Sequence, residues 1–175
     1  MLLCISGALR RNSTNTKLLR EAARHYGRPH ALGDIRFPLY DGDAEEADGI
    51  PEAVQSLSDQ IASAEAVAIA SPEYNQSFSG VLKNALDWVS RTDGSPWANK
   101  PVAIMSAAAG RAGGARANYA LRLALTPFRP RLLTGPEVLI ALSGDQFDQN
   151  GHLIEARYEK ALVELMEALR SEAVR

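Results

Sequence analysis

The chain is short of several things at once. Its 175 residues hold a single cysteine and three histidines, carry a formal net charge of -2, and contain no apolar run near the roughly 20 residues a membrane span needs. One cysteine excludes an internal disulfide and suits a reducing cytoplasm. That residue, Cys4, sits in an apolar run where burial would suppress its ionisation, which argues against a catalytic thiol. Near-neutral charge gives no footprint for nucleic acid and no polybasic patch for a membrane surface. Met1 to Ile5 is apolar, but it lacks a basic preceding region and is too short for a signal peptide, so it reads as a first strand. There is no Gly-x-Ser-x-Gly elbow, no Walker loop and no Gly-x-Gly-x-x-Gly fingerprint. His25, His30 and His152 fall in helix or turn contexts, and no His/Cys/Asp/Glu cluster has metal-ligand spacing. Hydrolytic catalysis, a metal site and a dinucleotide held in the usual Rossmann manner are therefore not expected.

What is present is a regular alternation. A strand over about residues 1–6 precedes a helix with apolar positions at 18, 19, 22, 23 and 26, ended by Gly27. Residues 31–36 read as a second strand, followed by an acidic stretch expected to be a solvated loop. Ile50, Val54, Leu57 and Ile61 mark a second helix face, with Pro51 in its first turn. Ala66 to Ala70 reads as a buried strand, and residues 81, 82, 85, 86 and 89 share a third helix face. Pro101 to Met105 makes a fourth strand and Val138 to Leu142 a fifth, with Arg129-Pro130-Arg131 and Gly135-Pro136 as breaks before it. A last helix carries Tyr158, Leu162, Leu165, Met166 and Leu169 on one face. These alternations imply a single α/β domain over 1–175, with a five-stranded parallel sheet between helical layers. The flavodoxin-like three-layer sandwich, order 2-1-3-4-5, fits best, because its switch point sets strands one and three side by side.

Three loops would then converge at the strand ends. The first, Ser6 to Asn15, crowds hydroxyls, amides and guanidinium groups against a helix N-terminus, where free N–H groups and the dipole favour an anion such as phosphate. The second, Ser71-Pro72-Glu73-Tyr74-Asn75-Gln76-Ser77, offers a ring and polar groups to a flat heterocycle. The third, Ser106 to Arg116, is rich in small residues that let a ring approach the backbone. A phosphate cradle and a polar edge without an evident protein acid or nucleophile suggest that a bound cofactor carries the reaction, and FMN has that shape.

The same residues resemble the NAD(P)H-dependent FMN reductases, a family of flavodoxin-like quinone, chromate and azo reductases. The resemblance rests on Ser6 to Asn15, on Pro38-Leu39-Tyr40-Asp41, on Ser71 to Asn75 with Ser79 to Trp88, and on Ser106 to Gly113. It implies bound FMN and a homodimer or dimer of dimers, that is a homotetramer. By position Arg10, Ser13 and Asn15 would hold the phosphate. Pro72, Glu73, Tyr74 and Asn75 would line the isoalloxazine, and Ser106 and Gly110 would approach it from the fourth strand. Ala8 stands where the family often has a serine. The helix bearing Asn84, Asp87 and Trp88 resembles the family's dimer face. The mechanism implied is ping-pong: NADPH or NADH reduces flavin N5, then a quinone, free flavin, azo compound or metal oxyanion takes the electrons. No residue is assigned as general acid or base, and Arg111 and Arg116, which could pair with the 2′-phosphate of NADPH, read more simply as solvated surface arginines. The rival reading is a flavodoxin-type electron carrier without nicotinamide turnover. Carriers tend to be strongly acidic for docking, and this chain is nearly neutral.

Overall fold

The computed structural model describes residues 1–175. Strands β1 (Leu2–Ser6), β2 (His30–Gly33), β3 (Ala66–Ala70) and β4 (Pro101–Ala107) pair in parallel in the order β2-β1-β3-β4. Successive strands are linked by α1 (Thr14–Tyr26), by α2 (Gly42–Asp48) with α3 (Glu52–Ser63), and by α4 (Gly80–Val89). After β4 come α5 (Ala115–Leu125), the short strands β5 (Arg131–Leu132) and β6 (Val138–Ile140), and α6 (Ala156–Glu172).

Period-two alternation along the buried strands divides the core in two. Leu2, Cys4, Ala66, Ala68, Ala70, Ala103 and Met105 face α1 and α6, whereas Leu3, Ile5, Val67, Ile69, Val102 and Ile104 face α3, α4 and α5. The alanines on the first face leave room for α1 to lie close to β3, which brings its N-terminus up against the ends of the central strands. Cys4 lies inside this layer, and burial pushes its thiol up to about 12, so it stays protonated at any working pH.

Four expectations need correction. The edge beyond β4 carries two strands instead of one, giving six in all: β5 pairs with Pro101 and Val102, and β6 with Met105, Ser106 and Ala107. Between them Pro136 supplies no N–H, so the ladder along β4 breaks there and resumes at Val138. The last strand also ends at Ile140, because Leu142 turns into the left-handed region at φ 47° and leads into a 3-10 turn over Ser143–Asp145.

The second strand is His30–Gly33, not 31–36. Asp34 accepts the N–H of Arg36 at 3.1 Å and turns the chain away. The acidic stretch is helical: Asp41 caps α2 by accepting from Asp43 N at 3.0 Å, and acidic residues in the first turn suit the dipole. Glu45 ties this helix to Arg91 at 3.0 Å and to Tyr40 Oη at 2.9 Å. No helix is long and apolar enough to cross a membrane.

Candidate active site

Because β1 and β3 are neighbours, the loops that follow β1, β3 and β4 open on one edge of the sheet, joined by the turn after β6. They enclose a cleft of about 340 Å³ lined by Ala8, Arg10, Ser13, Thr14, Asn15, Pro72, Glu73, Tyr74, Ala107, Ala108, Ala109, Ser143 and Gly144.

The floor is built from helix capping. Ser13 caps α1, its Oγ accepting from Asn15 N at 3.2 Å and Thr16 N at 3.4 Å. Those two N–H groups are thereby satisfied, while the N–H groups of Leu9, Arg10, Arg11, Asn12, Ser13 and Thr14 have no partner in the protein. A run of free donors at a helix N-terminus, beside the unpaired guanidinium of Arg10, fits a phosphate. Asn15 does something else. Its Nδ2 donates to Ala107 O at 2.8 Å and its Oδ1 accepts from Ala107 N at 2.9 Å, a two-point clamp that fixes the end of β4 against α1. Thr14 reaches across to Ser143, with the hydroxyls 3.1 Å apart.

The wall after β3 is held by a tight turn. Tyr74 N donates to Ser77 O at 2.9 Å and Ser77 N to Tyr74 O at 3.1 Å, with Asn75 and Gln76 both at positive φ, 50° and 67°. That is the signature of a type I′ turn, common for Asn and costly for Gln. Pro72 is buried below it, whereas Tyr74 is 53% exposed and its ring faces solvent across the cleft mouth. The N–H groups of Glu73, Asn75 and Gln76 are free of internal bonds, which fits the acceptor-rich edge of a flat heterocycle.

Glu73 links this wall to the next. Helix α5 starts at Gly114, which has no side chain to cap it, and Glu73 Oε2 accepts instead from Arg116 N at 3.0 Å and Ala117 N at 3.3 Å. Gly114 is required where it stands. Its φ is 89°, and a Cβ there would overlap Ser106 Oγ.

Ser106 departs from the expected arrangement. It belongs to β4, is fully buried, and donates to Ser71 O at 2.7 Å, so it braces two strand ends and presents no surface to the cleft. Gly110 and Asn75 are exposed on the rim but do not line the cleft, whereas Arg10, Ser13, Asn15, Pro72, Glu73 and Tyr74 do. Thr14, Ser143 and Gly144 were missed. A Ser-Gly-Asp turn just past the last strand was a visible signal for the latter two. No histidine lines the cleft: His152 Nδ1 lies 2.7 Å from Glu21 Oε1 in the seam between α1 and α6.

Asn84 and Trp88 are committed inside the chain. Asn84 accepts from Tyr40 N at 2.8 Å and donates to Pro38 O at 2.9 Å, and Trp88 Nε1 donates to the same carbonyl at 2.8 Å. Tyr40 packs edge-on against the Trp88 ring with centroids 5.1 Å apart. Of the trio expected on a dimer face, only Asp87 is at the surface, paired with Lys83 at 2.6 Å.

A larger cavity, about 580 Å³, lies elsewhere. It is walled by the C-terminal halves of α4 and α5 and by Trp97 and Phe128, and its charged rim includes the closed Lys83–Asp87 pair. No strand end opens into it.

A sequence model of the NADPH-dependent FMN reductase family matches residues 1–145. An NAD(P)H-dependent FMN reductase of Pseudomonas aeruginosa is 42% identical over 172 residues, covering 97% of this chain and 92% of its own length. A quinone reductase of Escherichia coli K12 is 36% identical over 161 residues, 88% of this chain and 85% of its own. Among solved structures, the flavoenzyme NAD(P)H:(acceptor) oxidoreductase of Paracoccus denitrificans superposes with a TM-score of 0.89 at 29% identity, covering 99% of this chain and 96% of that one.

Proposed function

The chain belongs to the NADPH-dependent FMN reductase family, and from that premise we propose that the strand-end cleft holds FMN and that the protein is an oxidoreductase moving electrons from NAD(P)H to a quinone or a flavin. The observation that carries the reading is the set of unpaired backbone donors between Leu9 and Thr14, set against an unpaired Arg10 at the N-terminus of α1.

In this reading Ser13, Arg10 and the free N–H groups hold the phosphate. Asn15 acts through Ala107, fixing the β4 end that the ring would lie against. Pro72 and Tyr74 border the ring, and the N–H groups of Glu73 and Asn75 meet its polar edge. Ala107, Ala108 and Ala109 keep the opposite wall low, so the backbone can approach closely. FMN, when bound, supplies a ring that takes a hydride from NAD(P)H and delivers two electrons to the acceptor. The chain's own residues position that ring and leave one face open beside Tyr74. Of the titratable side chains that line the cleft, Glu73 is engaged in capping α5 and Tyr74 lies exposed at the mouth, and neither is assigned as a general acid or base.

Azo compounds and metal oxyanions remain further acceptors that an open face admits. The protein would work in the cytoplasm as a homodimer or homotetramer. An assembly of that kind is supported by the exposed apolar residues Tyr119 and Leu123, one turn apart on α5.

The test is a visible spectrum recorded anaerobically before and after FMN, then after NADPH. Bound flavin that bleaches within seconds supports the enzyme. Bound flavin that neither NADPH nor NADH reduces would make the protein an electron carrier.

A further inference from the structure

We propose that a second, arginine-walled cleft beside the cofactor cleft is a subsite for a phosphate dianion, and that the ligand it fits is the 2′-phosphate of NADPH. This inference rests on the reading above in taking a nicotinamide donor as substrate.

The cleft, about 210 Å³, lies between the loop after β1 and the end of β2. Pockets that enclose a whole ligand run to roughly 300–1,000 Å³, so this one suits a single group of a larger molecule. It shares Ala8 and Arg10 with the cofactor cleft, so a ligand that begins in one can end in the other. Its walls carry Arg10, Arg11, Arg20 and Arg36 against one carboxylate, Asp34. Arg36 is anchored, donating from Nη1 to Asp34 at 3.0 Å and from Nη2 to Leu9 O at 3.3 Å. Arg10, Arg11 and Arg20 make no hydrogen bond or ion pair within the protein. Three free guanidinium groups gathered at one cleft of a chain whose net charge is -2 repel one another, and a bound dianion relieves that repulsion.

The walls contain no lysine. Guanidinium forks match phosphate oxygens two at a time, and an arginine beside a dinucleotide site is the usual means of accepting a 2′-phosphate. The flavin phosphate has donors of its own, because Ser13 and Thr14 line only the cofactor cleft, whereas Arg11, Arg20 and Arg36 line only this one. NADPH differs from NADH by one dianion. The cleft offers a place for that difference.

The experiment uses the FMN-loaded wild type and the double variant R11Q/R20Q, chosen because neither arginine has a partner whose loss would disturb the fold. The KM for NADPH should rise about tenfold or more, the loss expected from removing charge-assisted hydrogen bonds. The KM for NADH and the Kd for FMN should stay within about twofold. In a calorimetric titration 2′,5′-ADP should bind wild type about tenfold more tightly than 5′-AMP, and the variant should lose that preference. This second readout needs no turnover. If neither coenzyme reduces the flavin, the functional reading fails while the titration still decides the site. Inorganic phosphate binding as tightly as 2′,5′-ADP, and lost in the variant, would support the dianion site with free phosphate as its source. The proposal is overturned if the variant shifts both coenzymes equally or neither with no 2′,5′-ADP preference in wild type, or if it loosens FMN, which would make these arginines part of the flavin cradle.

Discussion

Two cavities of this protein differ in the opposite sense to their sizes. The one between α4 and α5 is the more voluminous, about 580 Å³ against about 340 Å³, yet its charged rim includes an ion pair already closed on itself. The smaller one lies where parallel strands end and α1 begins, and among its lining residues Arg10, Ser13 and Thr14 carry peptide N–H groups with no partner in the protein. Volume measures what the side chains fail to fill. Unmet hydrogen-bonding capacity indicates what a ligand would gain by binding, and here it singles out the strand ends.

The strongest way to break the contrast is to collapse a wall of the smaller cavity. Gly114→Ala places a methyl against Ser106 Oγ at a backbone conformation suited to glycine, and should cost about 3 kcal/mol from strain and overpacking together. Urea unfolding would read the loss, and FMN binding should go with it. Next in size, Arg10→Ala should weaken FMN by about 1.5–3 kcal/mol in a fluorescence titration, the worth of a charge-assisted bond. Trp97→Phe in the larger cavity should leave that affinity unchanged, and equal effects of the two variants would erase the distinction drawn between the cavities.

A smaller effect sharpens the description of how the walls are held together. Glu73→Ala removes the only side-chain cap of α5 and should lower stability by about 1 kcal/mol, with Glu73→Gln recovering part of it. Thermal midpoints without FMN would measure this apart from any effect on binding.

The sequence made the shared edge of the sheet readable because its signals are local. Ser13 before a helical period, Gly27 after it, and apolar runs that stop at Ser71 and Ser106 each depend on a few neighbouring residues. What stayed hidden depends on contacts distant in the chain. Asn15 looks like a phosphate ligand until Ala107, 92 residues away, takes its amide at both ends. Ser106 looks like a loop residue until β6 extends the ladder past Met105. Asn84 and Trp88 look like surface groups of an amphipathic helix until the Pro38 carbonyl folds over them. The acidic helix α2 buries no residue, so no apolar period announced it.

The smallest effect lies away from both cavities, in the seam between α1 and α6. Burial, with the nearby Arg24 charge, holds His25 below its usual 6.5, outweighing the carboxylates of Glu21 and Glu159. Its unfolded form therefore takes up a proton first, so the stability it contributes is complete above pH 6.5 and declines as pH falls from there. Burial alone would raise Glu21, but hydrogen bonds from Arg24 and His152 prevail and keep it below 4.5, adding a second loss as pH falls under that value. Stability measured by urea unfolding should decline in these two stages on acidification, and His25→Gln should flatten the upper one.

Amide hydrogen exchange with and without FMN tests the central claim most directly. The account predicts slowed exchange at Leu9 to Thr14 and at Glu73 to Gln76, with residues 86–97 and 124–129 around the larger cavity unchanged. Protection confined to that larger cavity would contradict it.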